Sequence, residues 1–263
     1  MKRNKIWGIL AMAVLTGSLL AGCKGADPKG ETTEKGQEDK QEELLIAAAA
    51  SLEYSYEEEL IPMFEEQNPG ITVKGTYDSS GKLQTQIEEG IPADVFMSAA
   101  TKQMDALSDQ ELVESDSVVD LLENQIVLIT GADSSLELQE FADITKANVI
   151  AIGDPESVPV GQYAKEVLTN LGIWEEVSAK ASLGTNVTEV LKWVEEGSAE
   201  AGIVYATDAA TTDQVNIVAQ APKDSLAGPA VYPVGGDFQG LQISRGGRKI
   251  CGIFAVRGGH KSI

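Results

Sequence analysis

The apolar run Leu44-Leu45-Ile46-Ala47-Ala48-Ala49-Ala50 stops at Ser51, and Glu53, Tyr56, Leu60, Ile61 and Phe64 follow at helical spacing. A short continuous apolar run ending in a hydroxyl residue reads as a buried strand, and the periodic stretch after it as a helix. The pattern recurs. Residues 71–77 alternate like a half-buried strand and lead to a second corner, Ser79-Ser80-Gly81, before a helical stretch that closes at Gly90. Residues 94–97, 125–130, 148–152 and 201–205 are further apolar runs, and residues 80–89, 102–107, 161–171 and 186–196 carry helical periodicity. Gly90, Gly172 and Gly197 stand where helix C-terminal glycines belong. This alternation specifies an α/β chain with mostly parallel sheets, whose ligands bind beyond the carboxyl ends of the strands.

The N-terminus stands outside that pattern. Lys2, Arg3 and Lys5 precede a short apolar stretch over residues 6–20, which ends in Leu20-Ala21-Gly22-Cys23. A basic start, a short apolar run and small residues make an export signal. The ending resembles a bacterial lipobox, which implies that residues 1–22 are a signal peptide and that Cys23 carries the lipid. Residues 23–43 are rich in Lys, Glu, Asp, Gly and Gln. They have too little apolar surface to fold and read as a disordered tether. The expected location is the extracytoplasmic face of the cell membrane, on a lipid anchor. Of the two cysteines, Cys251 then has no partner, so there is no disulfide framework and no zinc-ligand cluster. The net charge of −21 becomes about −24 without the three leader cations. Such a chain has no basic patch for nucleic acid.

Four strand-to-helix corners line up in this reading. Ser51 follows the first strand and Ser80 the second, residues 153–161 lead into Tyr163-Ala164-Lys165-Glu166, and Thr185-Asn186-Val187-Thr188-Glu189 opens the last helix as a capping pair. Helix N-termini present N–H groups without helical partners and favour negative charge, so converging corners suit a small oxyanion. Any one corner alone is ordinary capping. Asp94 and Asp154 border short strands and read as caps of backbone N–H groups. Trp174 and Trp193 read as packing, and Lys82 and Lys165 as polar helix positions facing water.

Taken in order, the segments resemble the molybdate-binding proteins of bacterial ABC importers. The matching residues are the run Ala47 to Leu52, Asp78-Ser79-Ser80-Gly81-Lys82-Leu83, and Gly90-Ile91-Pro92-Ala93-Asp94-Val95-Phe96-Met97. Gly153-Asp154-Pro155-Glu156, Gly161, Tyr163-Ala164-Lys165-Glu166, Gly202-Ile203-Val204-Tyr205, Asp208-Ala209 and Tyr232-Pro233-Val234 continue the series. The resemblance implies a two-lobed type II periplasmic-binding-protein fold, each lobe a mostly parallel sheet flanked by helices, with the ligand in the cleft between them. Residues 44–123 with 223–263 would form one lobe, and residues 124–222 the other.

The resemblance further implies that the molybdate oxyanion is held by the hydroxyls of Ser51, Ser80 and Tyr205 and by the backbone N–H groups of Val160 and Val187. Molybdenum would be touched only through its oxygens. No cofactor and no catalysis are implied. The expected partners are molybdate or tungstate, the permease of an ABC importer, and the membrane through the lipid; the chain is read as a monomer. A desolvated dianion must recover its hydration as direct hydrogen bonds, which donors alone can supply. A donor-only site also rejects hydrogen phosphate, whose proton would meet no acceptor. The alternatives are another tetrahedral oxyanion such as sulfate, or a secreted hydrolase with Ser51 or Ser80 as nucleophile, for which the one histidine, His260, is the available imidazole base.

The C-terminal tail breaks the resemblance. After Val234 the chain runs Gly235-Gly236-Asp237-Phe238, then Arg245-Gly246-Gly247-Arg248 and Arg257-Gly258-Gly259-His260. Glycine, arginine, the lone histidine and Cys251 cluster here in a chain otherwise acidic, and residues 235–263 read as the product of a frame change.

Overall fold

In the computed structural model the described residues are 42–236. Residues 1–41, which include the expected signal peptide, Cys23 and most of the expected tether, and residues 237–263 of the tail lie outside them. The chain runs β1 (Glu42–Ala49), a 3₁₀ turn (Ala50–Leu52), α1 (Glu53–Ser55), a π-helical turn (Tyr56–Leu60), α2 (Ile61–Gln67), β2 (Ile71–Asp78), α3 (Ser80–Glu88), β3 (Val95–Met97), α4 (Thr101–Asp109) and β4 (Val119–Asn124). It continues through β5 (Ile126–Gly131), β6 (Ile150–Gly153), α5 (Pro159–Asn170), α6 (Trp174–Ser178), β7 (Ala181–Gly184), α7 (Val187–Glu195), β8 (Ala201–Tyr205), α8 (Ala206–Ala209), β9 (Val215–Gln220) and β10 (Ala230–Gly236). Glu42 and Glu43, read from sequence as tether, are already strand, paired with Ile71 and Thr72.

Two five-stranded sheets result, ordered β2-β1-β3-β10-β4 and β7-β6-β8-β5-β9. β1 lies parallel to β2 and β3, and β6 parallel to β7 and β8. β10 is antiparallel to β3 and β4, and β5 antiparallel to β8 and β9. The sheets are therefore mixed rather than mostly parallel. The reversed strand in each sheet is the one that receives the chain from the other sheet, β5 after β4 and β10 after β9. A strand that crosses directly, without a helical return, enters its new sheet against the local direction.

The continuous apolar run of β1 has a plain cause. Leu44, Ile46 and Ala48 join one buried cluster, while Ala47 joins Leu83, Phe96, Met104 and Leu107 on the opposite face. A strand covered on both faces has no polar side to alternate with. In the helix that follows, Tyr56, Ile61 and Phe64 are buried. The five-residue step from Tyr56 to Ile61 coincides with the π-helical turn, which widens the helix locally and keeps both side chains inward.

At the end of β10, Gly235 and Gly236 pair with Phe96 and Val95. A Cβ on Gly235 would stand 2.8 Å from Val113 Cγ1, so glycine suits the close approach. These two residues belong to the described fold.

Candidate functional site

Each corner is built by local chemistry. Ser51 sits in the 3₁₀ turn at the end of β1, half-buried, with Oγ 3.0 Å from the Tyr232 hydroxyl. At the second corner the cap of α3 is Ser79, whose side chain accepts from the Lys82 N–H at 3.4 Å. Ser80 is therefore not needed as the cap. Fully buried, its Oγ accepts the Ala99 N–H at 3.0 Å. Helix α5 opens with Pro159, which has no N–H to satisfy, followed by buried Val160. Helix α7 is capped by Asn186, which accepts from the Glu189 N–H at 2.9 Å, while Glu189 accepts from the Thr185 N–H at 2.6 Å. Val187 then occupies the first position of the helix. Tyr205 ends β8, fully buried, and its hydroxyl donates to the Ala99 carbonyl at 3.0 Å.

These pieces meet. Ser51, Ser80, Val160, Val187 and Tyr205 all line one cavity of about 10 Å³, counted as the space open to a water molecule's centre. Its other walls are Ala49, Ala50, Ser79, Ala99, Val158 and Pro159, so no charged side chain reaches it. The space suits about one water.

The cavity lies where the elements around the two sheets meet. The Gly81 N–H donates to Ser157 O at 3.0 Å, and Asn186 Nδ2 to Asp78 Oδ1 at 3.4 Å. Gln103 Nε2 donates to Gln162 Oε1 at 3.4 Å. Beside it opens a larger cavity of about 300 Å³, bordered by Ser51, Glu53, Glu57, Glu58 and Asp208.

Burial dominates the titration of the inner groups. It pushes the Tyr205 and Tyr232 phenols well above their ordinary value, with Asp208 and the neighbouring tyrosines adding to the effect on Tyr205. Both phenols stay protonated and available as donors. Burial likewise raises the Asp208 carboxyl to about 7. Tyr205 packs edge-on against Tyr232, with ring centres 5.3 Å apart, and against Tyr163 at 6.4 Å.

The lysines near the corners are engaged elsewhere: Lys82 pairs with Asp78 at 3.2 Å, and Lys165 lies over the Trp174 ring. Asp94 accepts from the Leu45 N–H and Asp154 from the Glu156 N–H, the capping roles expected of them. Among the described residues no group of three or more His, Cys, Asp or Glu could hold a metal ion, and no helix is long and apolar enough to cross a membrane. Sequence reasoning assigned no role to Asn124, Tyr232 or the Ala99 peptide, which hold the hydroxyls in place. Tyr232 was visible only as part of the Tyr232-Pro233-Val234 match.

Comparison with known proteins agrees with this architecture. Residues 44–235 match the family described as bacterial extracellular solute-binding protein. A Bacillus subtilis protein, YvgL, provisionally named an ABC transporter substrate-binding lipoprotein, is 37% identical over 88% of this chain and 86% of its own. The molybdate-binding protein ModA of Haemophilus influenzae is 38% identical over 73% of this chain and 76% of its own. Among solved structures, the substrate-binding domain of a Clostridium difficile protein, provisionally titled a molybdenum ABC transporter, superposes with a TM-score of 0.62 at 36% identity, covering 81% of this chain and 92% of that one. Two mixed sheets flanked by helices, with the corners of both converging on one cavity, are the two-lobed architecture of that family, and this chain belongs to the bacterial extracellular solute-binding proteins.

Proposed function

We propose that this protein is the extracytoplasmic receptor of an ABC importer for molybdate, with tungstate as a second ligand. The observation that carries the reading is the convergence of three hydroxyls and the first turns of α5 and α7 on one cavity free of charged side chains. Such a site holds an anion by hydrogen bonds and helix-end partial charge, without a counter-ion. The relatives named for molybdate binding supply the choice among oxyanions. Ser51 and Ser80 hydrogen-bond to a phenol and a peptide N–H rather than to a base, which favours binding over nucleophilic catalysis. Closure of the two lobes on the ligand is the signal passed to the permease, and a lipid on Cys23 keeps the monomeric receptor at the membrane.

The test is a thermal-shift panel of molybdate, tungstate, sulfate, phosphate and chromate, followed by titration calorimetry. A tight ligand stabilises the native state by several kcal/mol at saturation. Ser51→Ala, Ser80→Ala and Tyr205→Phe should each weaken molybdate binding by about 1.5–3 kcal/mol, the range for hydrogen bonds to charged groups. No stabilisation by molybdate or tungstate, or unchanged affinity in all three variants, refutes the reading.

A further inference from the structure

The hydrogen bonds behind Ser51 have a direction. Asn124 is the last residue of β4, and its Oδ1 accepts the Gln125 N–H at 2.9 Å. Its amide nitrogen therefore faces the other way, donating to Thr207 Oγ1 at 2.8 Å and to the Tyr232 hydroxyl oxygen at 3.2 Å. An amide NH₂ can only donate, so the fully buried Tyr232 hydroxyl must accept there. The phenol's own proton is then left for Ser51 Oγ, 3.0 Å away. The nearby Tyr205 hydroxyl spends its proton on the Ala99 carbonyl. Ser51 thus receives a proton from behind and has its own to give forward. Ser80 is set the same way, its Oγ accepting from Ala99 N–H.

We propose that Tyr232, oriented by Asn124, is a positioning residue that makes Ser51 a hydrogen-bond donor toward the cavity and so sets discrimination against oxyanions that carry a proton. The proposal rests on the oxyanion reading above and adds to it the origin of selectivity. Hydrogen phosphate needs one acceptor in the site. Tyr232 takes one lone pair of Ser51. To accept a ligand proton on the other, Ser51 must turn its own proton off the ligand, and its side-chain partner, the Tyr232 hydroxyl, already points a proton at it. The relay then leaves a buried hydroxyl proton without a partner, which the site resists.

The informative substitution is Asn124→Asp, which keeps the shape and reverses the polarity. A carboxylate there still accepts from the Gln125 N–H but now also accepts the Tyr232 proton. The freed phenol oxygen can take the Ser51 proton, and Ser51 becomes an acceptor toward the ligand. The added negative charge weakens every dianion, so the readout is a ratio. Molybdate affinity is measured by calorimetry and phosphate affinity by displacement of molybdate, at about pH 8, where phosphate is chiefly a dianion bearing one proton. The ratio of molybdate to phosphate affinity should fall about tenfold or more in Asn124→Asp. Added to Tyr232→Phe, the same Asn124→Asp change should leave the ratio where Tyr232→Phe alone puts it, because the relay is already cut.

A ratio unchanged in Asn124→Asp, including phosphate that still fails to compete, overturns the proposal, as does a further fall of the same size when Asn124→Asp is added to Tyr232→Phe. Should Asn124→Asp not fold by circular dichroism, Tyr232→Phe alone decides: a ratio lowered severalfold supports the relay, and an equal loss for both anions refutes it. A wild-type protein that binds none of the oxyanions refutes the receptor reading instead, before any variant is compared.

Discussion

Gly81→Ala separates closure of the cleft from contact with the ligand. Gly81 is the second residue of α3 and its backbone is helical, so alanine would favour the helix itself by up to about 1 kcal/mol. The facing chain does not allow it. A Cβ there would stand 2.4 Å from Ser157 O, 2.9 Å from Ser157 Cα and 3.0 Å from the Ser157 carbonyl carbon, against 3.4 Å for ordinary contact. All three atoms are backbone, so the two elements must part by about 1 Å, the overpacking regime. Overpacking costs about 1–3 kcal/mol, and the stretched Gly81 N–H bond to Ser157 about 0.5–1.5 more. A total of about 2–4 kcal/mol against the closed arrangement corresponds to about 30- to 1000-fold in Kd. Gly81 lies outside the cavity lining, so the loss arises only if binding requires the lobes to meet. Calorimetric titration with molybdate should show that loss, while the ligand-free melting temperature stays level or rises slightly. Affinity within about threefold of wild type would refute the coupling between closure and binding.

Gly161→Ala provides the contrast, because its Cβ would stand 2.1 Å from Gly153 O within the same lobe. It should destabilise the fold by about 3 kcal/mol, lowering the melting temperature by about 6–12 °C with or without ligand; an unchanged melt contradicts this close approach of α5 to the end of β6. At Asp208, burial holds the carboxyl at about 7, so the native state keeps a proton that the unfolded chain has released. Stability should therefore fall as pH rises from about 4 to about 7 and level off above. Asp208→Asn should remove that decline, so the stability difference between variant and wild type should move in the variant's favour by about 2–4 kcal/mol from about pH 4 to about pH 8. Parallel urea midpoints for the two proteins across this range would show that Asp208 does not titrate there.

What could be read from sequence, and what could not, follows from burial. The strands with strong apolar runs, β1, β3, β5, β6 and β8, lie inside the sheets, and the runs at residues 44–50, 94–97, 125–130, 148–152 and 201–205 mark them. Strands β4, β7 and β9 went unread because each is a sheet edge with a largely exposed or half-exposed pattern. β2 is also an edge, but its alternating Ile71, Val73 and Gly75 keep a strand signature. β10 lies in the interior and still hid, since Pro233 and the two glycines argue against a central strand. The ladder shifts register between Tyr232 and Pro233, the kind of irregularity that accommodates a residue without an N–H.

The site divides along a different line. Where the donors lie was legible, because a strand-to-helix corner is a local event written in a few consecutive residues. Which way their protons point was not. That depends on partners distant in the chain: Ser51 meets Tyr232 across 181 residues, Tyr205 meets Ala99 across 106, and Asn124 meets Tyr232 across 108. The pairing of β10 with β4 brings Asn124 and Tyr232 side by side, and the end of the β5–β8 ladder, where the Ala206 N–H donates to Gln125 O, brings Thr207 to Asn124. A count of hydroxyls identifies an anion site, but a hydroxyl is both donor and acceptor until its neighbours decide. Here the neighbours that decide are Asn124, at the end of β4 where the chain leaves the first sheet, and Tyr232, beside it on β10.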